Sequence, residues 1–223
     1  DASSDSLVLE GDENLRYYQS IKKNYGSDDY LVISYQVEDN LLDPAQLEHL
    51  GKFRQELKSI DQVVSTTTIL DVPLFRSPPV SLVDMADSTV SIDNNNANLA
   101  LAKNEFKDSP IYGNNLVSND GKTTAVLVTL KENQRFTELR ANRDEMRSKK
   151  LNNELSKADL LKLKAIEKQV LKNASIRNDL QAETIADIRS VISKYQDKAS
   201  LFLGGLPMIT TDIIAYINSD LIV

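Results

Sequence analysis

Few residues of this chain have the types and spacing that catalysis or metal binding requires. His49 is the only histidine among 223 residues and cysteine is absent, which excludes a histidine pair for zinc, a thiolate site and a cysteine nucleophile. The run Asp93-Asn94-Asn95-Asn96 lacks the alternation, the central glycine and the distal glutamate of a calcium loop, so we interpret it as a polar turn. His49 lies in a predicted helix, where we expect it on the solvent-facing surface.

The glycine pair Gly204-Gly205 does not belong to a phosphate-binding loop. No Lys-Ser or Lys-Thr pair follows it, and the spacing G-x-G-x-x-G does not occur. The nucleophile elbow G-x-S-x-G is also missing, and His49 would be the lone base of any catalytic triad. We therefore predict that the chain is not an enzyme by itself, has no catalytic residues and needs no metal or cofactor.

Composition narrows the class of protein further. A hydrophobic fraction of 41% with 26% charged residues is typical of a soluble globular chain. No run of about 18 consecutive apolar residues occurs, so the sequence predicts no membrane span within these residues. The 26 Lys and Arg residues against 33 Asp and Glu residues give a net charge of −7. This charge argues against a nucleic-acid partner, because such binding needs a basic surface.

The elements that would position a site begin with an amphipathic helix over residues 12–26. β-Branched and aromatic residues over 30–37 then predict a buried strand. A helix is predicted from Asp43 to Ile60, because Asp43 can act as N-cap, Pro44 suits the first helical position and Gln46 can reach back to the cap. "DQVVSTTTIL" predicts a second strand, so this third of the chain is a strand-helix-strand crossover between parallel strands of one sheet.

The middle of the chain is less regular. The prolines of "DVPLFRSPPVSL" and the turn residues of "SIDNNNANLALAKNEF" predict an irregular excursion across the surface from Asp71 to Pro110, with room for a short helix over 96–106. A hairpin is predicted over 116–130, because the Asp120-Gly121 pair suits a two-residue turn with positive φ. The regular elements thus resume after a long break.

A strongly charged segment precedes the last elements. Residues 136–175 carry only a thin apolar stripe, which predicts one long helix or a helical hairpin, either laid over a domain edge or extended as a coiled-coil-like arm. A separate amphipathic helix is predicted over 179–198, and "SLFLGGLPM" predicts a closing strand over 201–208. The order is βαββαβ with an insertion, so we predict an α+β fold: a ferredoxin-like four-stranded sheet with two helices on one face.

Several segments, in order, resemble exporters of the resistance-nodulation-cell division (RND) superfamily, in particular the lipid-exporter-like (MMPL-type) branch related to sterol-sensing transporters. Asp1, Asp5 and Leu7 are similar to the acidic stretch after the first transmembrane helix of that family. Residues 26–29 and 31–35 resemble its turn and first strand, "VSTTTILDVPL" a strand ending in Leu-(Asp/Asn)-x-Pro, and "NNLVSNDGKTTAVLV" its hairpin. "LGGLPMITTDIIAYINSDLIV" is similar to the strand exit and to the helix that becomes the second transmembrane segment.

The resemblance implies a division of the chain into four parts. These are a lead-in and N-terminal helix that follow a membrane helix (1–28), a porter-like core (29–134 and 176–210) with the excursion at 71–110, a charged helical insertion with no family pattern (135–175), and a helix leading into the next membrane helix (211–223).

The function that the resemblance implies is transport. The chain would be the periplasmic domain between the first two transmembrane helices of a proton-driven exporter in the bacterial inner membrane, and it would bind hydrophobic or lipid-like substrates or gate their passage. The proton-carrying residues of such transporters lie in the membrane helices. The partners would be the membrane helices and the second periplasmic domain of the same transporter, optionally with an adaptor or outer-membrane channel.

Two groups of candidate site residues follow from the resemblance. The first would form the hinge that transmits motion to the membrane helix: Gly204, Gly205, Pro207 and Asp212. The second would border the substrate cleft: Leu74, Phe75, Pro78 and Pro79. We expect Gly205→Val to abolish export while the domain stays folded. The alternative of equal weight is that both glycines only allow tight backbone packing.

A protein of another class is compatible with the same sequence. The chain would then be a self-contained scaffold or partner-binding module, with the charged helical segment 136–175 as its coiled-coil contact.

Overall fold

The computed structural model describes residues 17, 30–77, 79, 90–93, 97–113 and 115–220. Apart from residue 17, the predicted N-terminal helix lies outside them, as does Pro78. The regular elements are β1 (Tyr30–Gln36), α1 (Pro44–Lys58), β2 (Val63–Thr67), α2 (Leu99–Asp108), β3 (Thr123–Leu130), α3 (Gln134–Leu151), α4 (Lys157–Lys194), β4 (Ser200–Gly204) and α5 (Leu206–Asp220). The predicted α+β class is confirmed.

The four strands form one sheet in the order β2-β3-β1-β4, and every pair of neighbours is antiparallel. β1 and β2 both run opposite to β3, so they are parallel to each other, as predicted for the crossover, but β3 lies between them. The register pairs Leu31 with Val128 and Ile33 with Leu203. Alternate side chains of each strand therefore lie on the same face of the sheet.

One face of the sheet is buried beneath α1 and the second half of α4. The strand side chains on this face form one core with apolar residues of both helices: Leu31, Ile33, Tyr35, Val126, Val128, Leu50, Phe53, Leu57, Ile185, Ile188 and Ile192. The opposite face carries Ser34 and Ala125, which are half-buried, and Phe202, whose side chain is 65% exposed. Antiparallel sheets with one buried and one open face follow this alternation.

The start of α1 was predicted correctly, but its cap was not. Pro44 occupies the first turn, as its fixed φ and missing N–H favour. The Asp43 side chain makes no cap hydrogen bond and instead accepts from Asn40 Nδ2 at 3.0 Å. The Gln46 Oε1 atom is buried and has no hydrogen-bond partner among the residues that the structure describes. The capping box between these residues is therefore wrong, and the proline alone accounts for the helix start.

The charged segment forms a helical hairpin, which was one of the two predicted alternatives. The separate helix predicted over 179–198 is wrong, because α4 is a single helix of 38 residues. It contains no glycine or proline that could stop it. Asn173, shortly before the break expected between residues 175 and 179, donates from Nδ2 to the Gln169 carbonyl at 2.8 Å within the continuous helix.

We use the word arm for α3 and residues 157–178 of α4. Thr184 of α4 lines the same groove as Leu130, at one end of the sheet. Tyr195, the C-cap residue of α4, packs on His49, which bonds Tyr35 at the other end. The 22 residues before position 179 therefore extend beyond the sheet by about 33 Å at 1.5 Å per residue. They leave from the end at which β1 begins, because Tyr30 pairs with Thr129 next to Leu130.

Two other predicted elements are shorter than expected. The predicted hairpin has its turn, with Gly121 at φ 68°. Its first strand, however, is reduced to one bridge between Val117 and Thr124. The Ser118 hydroxyl, not a strand neighbour, accepts the Thr123 N–H at 2.9 Å. The closing strand ends at Gly204 and not at residue 208, because the chain turns into α5 there.

Candidate functional site

The predicted hinge lies where β4 ends and α5 begins, and its two glycines have different environments. Gly205 has φ 129°, a conformation that side chains disfavour. A Cβ there would lie 3.0 Å from the Tyr30 carbonyl oxygen and 3.1 Å from Leu31 Cα. At Gly204 the nearest atom to such a Cβ is the Val32 carbonyl oxygen at 3.8 Å, an ordinary contact. Only Gly205 is therefore required by close backbone packing.

Pro207 is the second residue of α5 and lies next to α4. It is buried in the first turn of the helix, where proline costs no hydrogen bond. Its carbonyl accepts Gln181 Nε2 of α4 at 2.7 Å, and the same amide group reaches Thr211 Oγ1 at 3.0 Å. The start of α5 is thus fixed to α4 by a single glutamine.

Asp212 forms a second connection between α5 and α4. Both of its carboxylate oxygens accept from Arg189 Nη2, at 3.0 and 2.8 Å. The hydrogen bond to this carboxylate raises the pKa of the Arg189 guanidinium above its ordinary value. Both side chains are partly exposed, so the pair contributes at most about 1 kcal/mol to stability. It orients α5 without fixing it strongly.

The predicted cleft margin lies in the excursion that follows β2. Leu74 is 1% exposed and its N–H bonds the Val90 carbonyl at 2.8 Å, so its side chain belongs to the core. Phe75 is half-buried against that core, and Pro79 is exposed. The excursion therefore contributes to packing and does not only cross the surface. Whether it borders a cleft stays a prediction.

A buried carboxylate that sequence reasoning missed holds this excursion in place. Glu105 of α2 is 6% exposed. Its carboxylate accepts the backbone N–H of Phe75 at 2.7 Å, the N–H of Arg76 at 2.9 Å and the hydroxyl of Ser77 at 2.8 Å. Three donors converge on it, and hydrogen bonds to a charged acceptor are the stronger kind. A glutamate on the apolar side of a short predicted helix was the only signal for this role.

The structure also contains a groove that the sequence did not predict. It has a volume of about 580 Å³ and lies between the end of β3, the start of α3 and the base of the arm. The residues that line it are mostly of polar or charged type: Gln62, Leu130, Lys131, Glu132, Asn133, Gln134, Arg177, Leu180, Gln181 and Thr184. Gln181 is shared with the α5 contact, so the groove adjoins the predicted hinge. Although these residues are mostly polar in type, the surface that they present to the groove is more apolar than polar.

His49 is not on the surface, and that expectation was wrong. It is 8% exposed, and its ring packs on Tyr195 with centroids 5.1 Å apart. Its Nε2 lies 3.7 Å from Asp197 Oδ1, so we assign the proton of the neutral ring to Nε2. The Tyr35 hydroxyl then donates to Nδ1 at 2.6 Å. Burial raises the pKa of Tyr35, and burial lowers the pKa of His49 against the opposing charge of Asp197.

The lowered pKa of His49 predicts a stability loss on acidification. In the unfolded chain the imidazole takes up a proton near pH 6.5, whereas in the folded protein it does so only at lower pH. The contribution of His49 to the free energy of unfolding is therefore fully present above about pH 6.5 and is lost as the pH decreases. Proton uptake by the unfolded chain alone limits the loss between pH 7.5 and 5.5 to at most about 1.4 kcal/mol. Urea unfolding at the two pH values measures it, and His49→Gln is the control, because the chain has no other histidine. An equal loss in this variant would contradict the assignment.

Within the described residues, no cluster of three or more histidine, cysteine, aspartate or glutamate side chains could hold a metal ion. None of the described helices combines the length and the hydropathy of a membrane span. No protein-family model matches the sequence, and comparison with curated proteins gives no match.

Proposed function

We propose that this chain is a periplasmic porter-type domain of an RND-superfamily exporter of the MMPL type, set between the first two transmembrane helices. In this proposal the four-stranded unit is ferredoxin-like, and the domain binds hydrophobic or lipid-like substrates or gates their passage. Proton transfer takes place in the membrane helices. The sequence resemblance is the source of the proposal, and the geometry of the β4–α5 junction supports it.

The observation that carries the proposal is the meeting of two chain segments at one end of the sheet. Gly205 lies against the backbone of Tyr30 and Leu31, so β1 begins where α5 begins. A domain inserted between two neighbouring membrane helices needs this arrangement, because both connections must return to the same side. The strand order β2-β3-β1-β4 also agrees with a ferredoxin-like unit.

The character of α5 gives further support. Its exposed side chains include Ile209, Ile213, Tyr216 and Ile217, whose spacing of i, i+4, i+7 and i+8 places them on one face. Exposed apolar stripes on a helix are typical of contact with another helix or with a membrane interface. In the proposed transporter, this stripe faces the neighbouring membrane-proximal helix.

Localisation of the natural protein in its own cells tests the proposal. We expect it in the membrane fraction after carbonate extraction, and we expect protease added to spheroplasts to cleave within this domain. The helices of an exporter hold the protein in the bilayer, while the domain faces the periplasm. Recovery in the soluble fraction, or protection of the domain from external protease, would refute the transporter proposal.

A chemical cross-link tests the role of the junction. The chain has no cysteine, so Arg189→Cys with Asp212→Cys gives a unique pair between α4 and α5. A short bismaleimide joining these positions should stop export, because it fixes α5 to the core. Each single-cysteine variant, treated identically, is the control and should keep exporting. Normal export by the cross-linked protein would remove the junction from the transport cycle.

The arm favours a second candidate function, that of a scaffold that binds a partner protein. It extends about 33 Å beyond the sheet and has its own small apolar seam, which includes Leu163 and Val170 and stays outside the main core. A protruding helical hairpin of this kind suits a scaffold that binds a partner protein. Such a scaffold would remain soluble in the localisation experiment, so the same measurement separates the two functions.

A further inference from the structure

The far end of the arm differs in charge and exposure from the rest of the chain. Residues 149–164, which we call the arm tip, contain five lysines against two acidic residues, a net charge of +3 in a chain of −7. The tip also exposes leucines: Leu151 is 63% exposed, Leu161 is 69% exposed and Leu160 is 37% exposed. Basic and apolar groups are therefore concentrated together about 30 Å from the body.

The tip is held in shape by caps on both helices. α3 ends in a Schellman motif, in which the Glu154 N–H bonds the Lys149 carbonyl at 2.9 Å and the Asn153 N–H bonds the Lys150 carbonyl at 3.0 Å. Asn153 has the positive φ that this motif requires, 59°. Ser156 caps α4 by accepting the Asp159 N–H at 3.2 Å. The exposed leucines are thus presented by a defined turn.

The outer face of α4 continues the same chemistry away from the turn. Lys157, Leu161, Lys164, Lys168 and Leu171 recur every three or four residues and all are exposed. Leu163 lies on the opposite face, buried in the seam between α3 and α4. Lysines therefore interrupt the leucines of the outer stripe, so the leucines do not form a continuous apolar seam.

We propose that the arm tip binds the surface of a membrane that contains anionic phospholipids. Lysine ammonium groups contact lipid phosphates while leucine side chains enter the boundary of the acyl region, and long lysine side chains allow both contacts from one stripe. A coiled-coil partner would require an apolar seam without interrupting lysines. Charge complementarity selects anionic over neutral lipid.

In the proposed transporter, the arm would point toward the membrane, as binding of its tip to lipid requires. The arm leaves the body at the end of the sheet where β1 and α5 begin. The inference rests on the chemistry of the tip and holds whether or not the chain belongs to a transporter. Its test on the chain alone is therefore independent of the localisation experiment.

Vesicle co-sedimentation of the 223-residue chain is the direct test. We expect at least tenfold stronger binding to vesicles of phosphatidylcholine with 30% phosphatidylglycerol than to pure phosphatidylcholine, and loss of that binding in about 0.5 M NaCl. Each lysine near such a surface contributes about fivefold. Lys157→Glu with Lys164→Glu should therefore weaken binding more than tenfold, and so should Leu151→Ser with Leu161→Ser.

Matched variants on α2 provide the controls. Lys103→Glu with Lys107→Glu changes the net charge by the same amount, and Leu101→Ser removes an exposed leucine from the body. These should bind like the wild type, and circular dichroism should show equal helicity in every variant. Equal binding to both vesicle types, no binding to either, or equal loss in tip and α2 variants would each overturn the proposal. Absence of vesicle binding is also the result expected if the tip serves an acidic protein.

Discussion

Gly205→Ala should lower the free energy of unfolding by about 3 kcal/mol, because both the backbone conformation and the packing at this position require glycine. The conformation at Gly205, with φ 129°, is almost restricted to glycine and costs other residues about 1–3 kcal/mol. The new Cβ would also meet the Tyr30 carbonyl oxygen at 3.0 Å and Leu31 Cα at 3.1 Å. These contacts are with backbone atoms of a central strand, which cannot rotate away as a side chain can.

Gly204→Ala is the matched control, because it adds the same methyl group one residue earlier. Its Cβ would have 3.8 Å to the nearest atom, so we expect a change within about 1 kcal/mol. Urea unfolding followed by circular dichroism measures both variants. Similar stability of the two would show that the β4–α5 turn adapts at little cost, contrary to the geometry.

The same geometry changes the interpretation of Gly205→Val. The sequence led us to expect a folded domain that fails in export, but a β-branched residue at this φ is expected to destabilise the fold itself. Lost export by that variant would therefore not identify a hinge. Gly204 is the better position at which to probe motion, because the surrounding space tolerates a side chain.

The second large effect is expected at Glu105. Glu105→Ala leaves the N–H groups of Phe75 and Arg76 and the hydroxyl of Ser77 without their acceptor in a buried site. Each unsatisfied buried donor costs about 1–3 kcal/mol, so we expect a total loss of about 3 kcal/mol or more. Hydrogen exchange should show the Phe75 and Arg76 amides losing protection, and urea unfolding should give the global loss.

Two other variants make this experiment specific. Glu105→Gln keeps the shape and one acceptor oxygen, so its loss should be smaller than that of Glu105→Ala. Glu48→Ala removes an exposed glutamate whose carboxylate accepts from Lys52 Nζ at 2.6 Å, and it should leave the free energy of unfolding close to that of the wild type. A Glu105→Ala protein as stable as Glu48→Ala would mean that the excursion is not held by this carboxylate.

The class of fold and most elements could be predicted because local signals decide them. Pro44 marks the start of α1, and the Asp120-Gly121 pair marks the turn before β3. The strand pairing could not be read locally, because the position of β3 between β1 and β2 depends on contacts far apart in sequence. The length of α4 was missed for another reason: Asn173 and Ser175 have low helix propensity, but packing along the continuous helix overrides it.

Residues of the candidate site were predictable only where the backbone needs a conformation that few residue types can adopt. Gly205 was identified from sequence because glycine permits unusual backbone conformations where the chain leaves a strand, although its packing role required the structure. Glu105 was not identified, and His49 was wrongly expected on the surface. The partners of Glu105 are 28 to 30 residues away, and Tyr35 is 14 residues from the histidine. A sequence gives the type of such residues but not the groups that converge on them.

The unbroken α4 also gives the molecule a mechanical property. Its second half lies on the core and its first half carries the tip, so the helix is a lever whose fulcrum is the end of the sheet. With about 33 Å of helix beyond that point, a tilt of about 10° in the core-bound half displaces the tip by about 6 Å. Small movements of the core beneath α4 therefore produce larger displacements of the tip. A force applied to the tip is likewise transmitted along the helix to the sheet.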